Sequence, residues 1–166
     1  MVRFPTRVLL GALLLCGGSL SPQAFAESGV VRPAPSFSGG HEAGRRITLE
    51  SLRGKPVILV IAPSPENRSF RTQMSRLRGS YERLASRGTL FFAAFTSSGG
   101  RIPSNIPFIL ADDPVSVASR YGIAGFAIAV IGQDGNLDCL GTVPLSGQRI
   151  LDLMENNASL QSQLRR

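Results

Sequence analysis

The chain has 166 residues, 43% of them hydrophobic, which is the length and composition of one domain with a single buried core. Its formal net charge is +7, but the basic residues are scattered along the sequence, which favours a solvated surface and argues against a nucleic-acid-binding protein. With two cysteines and one histidine, the sequence shows no cluster of metal ligands, so neither a metal nor another cofactor is expected.

The first 26 residues have the three-part pattern of a secretory signal peptide. Arg3 and Arg7 supply the positive region, Val8–Cys16 is an apolar run too short to span a membrane, and Ala24–Ala26 has the small-residue form of a cleavage site. We therefore expect residues 1–26 to be removed. The mature protein is then expected in the periplasm or outside the cell, without a stable membrane anchor. Loss of Arg3 and Arg7 lowers its net charge to +5.

Cleavage would also remove Cys16 and leave Cys139 as the single cysteine of the mature chain. An intramolecular disulfide is then excluded, so the exported domain must be stabilised by its hydrophobic core. We expect a monomer, with a disulfide-linked dimer through Cys139 as the alternative.

Residues 27–45 are rich in Gly, Pro and Ser and show no apolar periodicity, so we predict a flexible leader. The only histidine, His41, lies in this segment. A single histidine with no nearby Cys or Asp is not a metal site.

Residues 46–156 alternate between strand and helix patterns. The apolar, β-branched run Pro56–Ala62 predicts a central strand buried on both faces. A helix over residues 65–87 is predicted to follow, with Ser64 as its N-cap. Apolar residues at spacings of three and four predict one buried stripe on that helix: Phe70, Met74, Leu77, Tyr81 and Leu84.

The remaining elements follow in the order strand, strand, helix, strand, strand, helix. Asp113 and Pro114 predict the start of the second helix, and Asp134–Gly135 predicts a hairpin turn. Helices between strands imply parallel crossovers, whereas the hairpin implies antiparallel pairing, so the pattern predicts an α/β fold with a mixed sheet. The predicted strands are 89–95, 106–110, 126–131 and 136–143; the last helix begins at Ser146, and residues 157–166 form a polar tail.

Three segments resemble the thioredoxin-like and peroxiredoxin-like superfamily. Leu52–Ala62 is similar to the entry to its first core strand, Asp113–Ile123 to its Asp-Pro…Ala…Tyr-Gly-Val segment, and Gly125–Gly135 to the strand and hairpin that carry its cis-proline. The resemblance implies a thioredoxin-like three-layer α/β/α fold with a mixed central sheet, and places that domain at residues 46–156.

A narrower family is similar at Ala62–Gln73, Gly125–Gly135 and Val143–Ser146. It is a domain-of-unknown-function family of cysteine-poor exported domains, which also occur in sushi-repeat and coiled-coil-domain matrix proteins. No settled enzyme activity accompanies that resemblance.

The sequence departs from the redox members of the superfamily at both halves of their active site. Those members place a reactive cysteine just after the first core strand, where a helix N-terminus stabilises the thiolate. Here Ala62–Arg68 contains no sulfur, and Ala127 takes the place of the cis-proline. Because a cis bond before a non-proline residue costs about 2.5–4 kcal/mol, we expect a trans bond before Ala127.

We call residues 64–73, where redox members carry the reactive cysteine, the vacated corner. Polar residues of this segment are the candidate binding residues. Amide groups of the first helical turn could hold an anion, with Arg68 and Arg71 one turn apart adding positive charge. The alternative is helix capping plus a solvated face. The candidates are Ser64, Glu66, Asn67, Arg68, Arg71 and Gln73.

The missing sulfur favours a redox-inactive, non-catalytic binding or interaction module, whose partner is an unknown protein or a small anionic ligand. The first alternative is a thiol-dependent oxidoreductase or peroxidase-like enzyme that uses Cys139, and the second is a polyanion- or matrix-binding protein. Catalysis by Cys139 would require an electropositive helix end or a paired base, and the sequence supplies no histidine near it.

Overall fold

A computed structural model describes residues 32–42 and 45–164, and for residues 41, 42 and 157–164 the backbone alone. The predicted signal peptide lies outside these residues. The elements are β1 (Arg32–Pro33), β2 (Ser38–Glu42), β3 (Arg45–Thr48), a 3₁₀ turn (Leu49–Leu52), β4 (Val57–Ala62), α1 (Arg68–Arg78), α2 (Tyr81–Ala85), β5 (Leu90–Phe95), β6 (Phe108–Leu110), α3 (Pro114–Tyr121), β7 (Ala127–Ile131), β8 (Asn136–Gly141) and α4 (Gly147–Leu164). None of the helices in these ranges has the length and apolar character needed to cross a bilayer.

The core is a mixed six-stranded sheet in the order β1-β8-β7-β4-β5-β6. β4, β5 and β6 are parallel, whereas β7 and β8 form the antiparallel hairpin predicted from Asp134–Gly135. Every residue of β4 and β7 is buried, as expected for strands covered on both faces. β4 therefore lies at the centre of the sheet, where the sequence predicted it.

Two hydrophobic clusters cover the two faces of this sheet. One contains Phe70 and Leu77 of α1 with Ile150 of α4, and the other contains Phe92 of β5 and Tyr121 of α3. Helices on both sides of a mixed sheet make three layers, so the predicted α/β/α architecture is confirmed.

The first long helix begins later than predicted and is broken into two. Asn67, not Ser64, is the N-cap of α1, and the helix stops before Gly79. The break admits the start of α4, because a Cβ on Gly147 would lie 2.2 Å from Ser80 Oγ. The predicted stripe nevertheless faces inward, with Tyr81 half-buried and the others buried: Phe70, Met74, Leu77 and Leu84.

Residues 32–42, predicted as part of a flexible leader, instead join the domain. β1 extends the sheet by pairing with β8, and β2 forms a hairpin with β3. Phe37 is buried against Phe92, with ring centroids 5.1 Å apart, and Tyr121 Oη donates a hydrogen bond to the Pro35 carbonyl at 3.0 Å. The domain therefore starts before residue 46.

The C-terminal end also differs from the prediction. The backbone of α4 is helical through Leu164, so most of the predicted polar tail continues the last helix. The start of that helix agrees with the prediction, because Ser146 Oγ accepts a hydrogen bond from Arg149 N at 3.2 Å.

Candidate functional site

The vacated corner lies where β4 ends and the chain turns into α1. The carbonyl of Pro63 accepts hydrogen bonds from Ser97 N and Ser98 N, at 3.0 and 3.1 Å, which fixes the corner to the loop after β5. The Ser64 carbonyl accepts from Asn67 N at 3.2 Å, so Ser64 belongs to a turn before the helix. Pro65 is buried within that turn.

The side chain of Asn67 provides a hydrogen-bond acceptor for backbone N–H groups in the first turn of α1. Its Oδ1 accepts hydrogen bonds from Ser69 N at 3.0 Å and Phe70 N at 3.2 Å. Asn67 is therefore a helix cap. An anion bound at the helix start would have to compete with its carboxamide for these two N–H donors.

Gln73 is separated from the other candidates. Its side chain is completely buried, and its Nε2 donates to the Leu145 carbonyl at 3.1 Å while its Oε1 accepts from Leu145 N at 2.7 Å. These paired hydrogen bonds join α1 to the segment before α4. Gln73 is thus a packing residue of the core face and is not available to a ligand.

The structure does bring Glu66, Arg68 and Arg71 together. All three are exposed and line a surface cavity of about 740 Å³ on the outer side of α1. Arg78 lines the same cavity but was not among the candidates from the sequence. Its spacing could have indicated it, because residues three and ten positions after Arg68 return to nearly the same face of a helix.

Ala127 occupies the position predicted for the cis-proline, opposite the end of β4. It is completely buried and pairs with Ile61. The described residues contain no cis peptide bond, as expected for the bond before Ala127.

Cys139 lies on β8, away from this corner. It pairs with Val130 on β7, which pairs in turn with Ile58 on β4. Two strand spacings and the four residues from Ile58 to Ala62 place Cys139 roughly 16 Å from the strand end that precedes α1. The side chain is 4% exposed and belongs to the core, so a disulfide to a second chain would require β8 to open.

The sequence profile described as the AhpC/TSA family matches residues 30–137, more than half of the chain. The chain belongs to the AhpC/TSA family. The matched range includes β1 and β2, which agrees with the inclusion of residues 32–42 in the domain. No curated protein matches the chain.

Solved structures with similar folds include the thioredoxin domain of a thiol-disulfide oxidoreductase from Bacteroides vulgatus, at TM-score 0.58 and 20% identity, with 75% of this chain and 94% of that chain covered. A 2-Cys peroxiredoxin from Plasmodium vivax, in its reduced form, has a TM-score of 0.61 and 18% identity, with coverages of 84% and 100%. A putative thiol:disulfide interchange protein DsbE from Chlorobium tepidum has a TM-score of 0.57 and 15% identity, with coverages of 75% and 96%. At these identities the likeness shows the thioredoxin-like fold.

In this AhpC/TSA chain the start of α1 presents a carboxamide, Asn67, between a buried proline, Pro65, and an exposed arginine, Arg68. Backbone N–H groups at a helix start favour a negative charge. The groups present there can bind by hydrogen bonds and charge, but an amide has no sulfur with which to attack a peroxide or a disulfide.

Proposed function

We propose that this protein is an exported thioredoxin-like domain without redox activity, which works as a non-catalytic binding module. The observation that carries the proposal is the separation of the helix start from the thiol. The start of α1 holds Asn67, and Cys139, the only cysteine after the predicted cleavage site, is buried on β8.

Thiol chemistry at Cys139 meets two obstacles. A thiolate must reach its target, and this side chain is 4% exposed within an apolar cluster. A mixed disulfide must then be resolved by a second sulfur, and residues 27–166 contain no other cysteine. Both points support a binding role over turnover.

The exposed part of the vacated corner is the binding surface in this proposal. Glu66, Arg68 and Arg71 line one open cavity, whereas Asn67 and Gln73 hold α1 in place by hydrogen bonds. The ligand is then recognised by charge at the outer face of α1. We place the protein in the cysteine-poor, exported branch suggested by its motifs, in the periplasm or outside the cell.

Two turnover assays test the proposal: reduction of insulin disulfides with dithiothreitol, and consumption of hydrogen peroxide. The mature chain is compared with Cys139→Ala, which keeps the site apolar; a serine hydroxyl there would be buried in an apolar cluster. We expect both proteins to match the background rate of the reductant. Repeated turnover by the mature chain that Cys139→Ala abolishes would overturn the proposal and make Cys139 the active site.

A further inference from the structure

Two adjoining cavities form a groove along the outer side of α1 and α2. The first, of about 740 Å³, runs from Glu66 to Arg78, and the second, of about 400 Å³, runs from Arg78 to Arg83. Pro103 and Ile106, on the segment between β5 and β6, line the opposite side. We call the combined surface the arginine groove; it is one continuous feature because Arg78 lines both cavities.

Arg68, Arg71 and Arg78 are exposed cations that line the groove. Within the described part of the chain, none of the three has a side-chain hydrogen bond or an ion pair. Other arginines nearby are engaged: Arg76 donates to the Pro144 carbonyl, Arg83 donates to Gln148 Oε1 at 3.1 Å, and Arg87 pairs with Glu155. Three arginines whose side chains have no described partner therefore lie along one helix and line the same groove.

The length of this charged row fits a short extended peptide. Arg68 and Arg78 are ten residues apart on one helix, which corresponds to about 15 Å along its axis. An extended chain covers that distance in four to five residues, at about 3.3 Å per residue, and its alternate side chains lie roughly 7 Å apart on one face. Three carboxylates at alternate positions would span the same row as the three guanidinium groups.

The rest of the lining favours a peptide over a uniform polyanion. Glu66 lies at one end of the groove and Glu82 lines the second cavity, so a ligand with negative charge along its whole length would meet a carboxylate at both places. Pro103, which is exposed, and Tyr81, which is half-buried, add apolar surface to the lining, against which uncharged side chains of a peptide can pack.

We propose that the arginine groove binds an extended acidic segment of a partner protein, with acidic side chains on Arg68, Arg71 and Arg78 and neutral or basic residues at its ends. This proposal rests on the proposed function, because it names the ligand of the binding surface.

The test is fluorescence anisotropy with a labelled peptide that carries glutamates at alternate positions of its central segment. A second peptide has glutamine in place of each glutamate. The mature chain is compared with R68E/R71E/R78E and with R45E/R53E/K55E. The second triple variant makes the same change in net charge at exposed residues that do not line the groove.

We expect the glutamate peptide to bind the mature chain and the control variant within about twofold of each other. The groove variant loses three exposed ion pairs and also places three like charges against the peptide, so binding to it should be weaker by about tenfold or more. The glutamine peptide loses the three ion pairs without that repulsion, so it should bind the mature chain at least about threefold more weakly. If R68E/R71E/R78E does not fold, R68Q/R71Q/R78Q replaces it, with the same expected direction.

Three results would overturn the proposal. Equal weakening by both triple variants would mean attraction to net charge alone. Equal binding of the two peptides would mean that carboxylates are not recognised. A sulfated polysaccharide that displaces the peptide and loses affinity in the groove variant by the same factor would mean that the groove takes a uniform polyanion. The turnover assays above, run on the same preparations, separate this failure from failure of the proposed function, because they depend on Cys139 and not on the groove.

Discussion

The start of α1 and the site of Cys139 lie against the same face of the sheet but offer opposite chemistry. The first backbone N–H groups of a helix have no partner within the helix and can stabilise a thiolate; here Asn67 Oδ1 accepts hydrogen bonds from two of them, at 3.0 and 3.2 Å. Cys139 has the sulfur, but its side chain is only 4% exposed and lies in the hydrophobic core. The two requirements of thiol chemistry are thus present in one domain and kept roughly 16 Å apart by two strand spacings and four residues of β4.

The start of α1 forms without a cysteine. The carboxamide oxygen of Asn67 caps it by accepting two backbone hydrogen bonds. The inner face of α1 holds the helix against the sheet, while its outer face displays Arg68 and Arg71.

Leu77→Ala should have the largest effect. Leu77 is completely buried on the inner face of α1, so truncation should lower the free energy of unfolding by about 2–5 kcal/mol. Denaturant unfolding of the variant measures this, with Ser75→Ala on the exposed face as control, expected within about 0.5 kcal/mol of wild type. An unchanged midpoint for Leu77→Ala would mean that the inner face does not hold α1.

Gln73→Leu should follow, at about 2–4 kcal/mol, because it leaves the buried N–H and carbonyl of Leu145 without their side-chain partner. The matched control is Gln133→Leu, at an exposed glutamine in the turn between β7 and β8, which should change the free energy of unfolding by less than about 0.5 kcal/mol. Equal effects of the two variants would show that the link between Gln73 and Leu145 contributes nothing to the position of α1.

Tyr121→Phe, on the opposite face of the sheet, should have the smallest effect, about 1 kcal/mol at neutral pH for the lost hydrogen bond to the Pro35 carbonyl. Burial raises the pKa of Tyr121 well above its ordinary value. The unfolded tyrosine therefore ionises first, near pH 10, and wild-type stability should fall as the pH rises beyond that value. The free energy of unfolding of the variant, measured by chemical denaturation, should decline less steeply than that of wild type between about pH 9 and pH 11. Parallel declines would contradict this account.

Most of the fold could be predicted because its strands are apolar runs bounded by turn residues. β4 and the hairpin at Asp134–Gly135 follow from such patterns, and Asp113 caps α3 as predicted by accepting from Ser116 N at 3.0 Å. Residues 32–42 could not be predicted in this way, because β1 and β2 are held by backbone pairing and by one aromatic residue, Phe37, within a segment rich in Gly and Pro.

The candidate site could be predicted only in part. Ser64 and Asn67 are both good N-cap residues, and the choice between them depends on the contacts of Pro63 with the loop after β5, which the local sequence does not contain. Gln73 is among the polar residues that the sequence offers as binding candidates, although its spacing from Phe70 and Leu77 places it on the buried face of the helix. A polar residue at an apolar position of a helix is therefore worth testing as a buried hydrogen-bonding residue.

The central claim is that the helix start keeps the field that stabilises a thiolate but has no sulfur on which that field can act. The direct measurement is the thiol pKa of Asn67→Cys in the Cys139→Ala background, taken from the pH dependence of alkylation by iodoacetamide. Ser119→Cys in the same background, exposed near the C-terminal end of α3, is the control. We predict a pKa of about 7.5 or lower for the thiol at position 67 and about 8.5 or higher for the control. Equal pKa values for the two thiols would contradict the account.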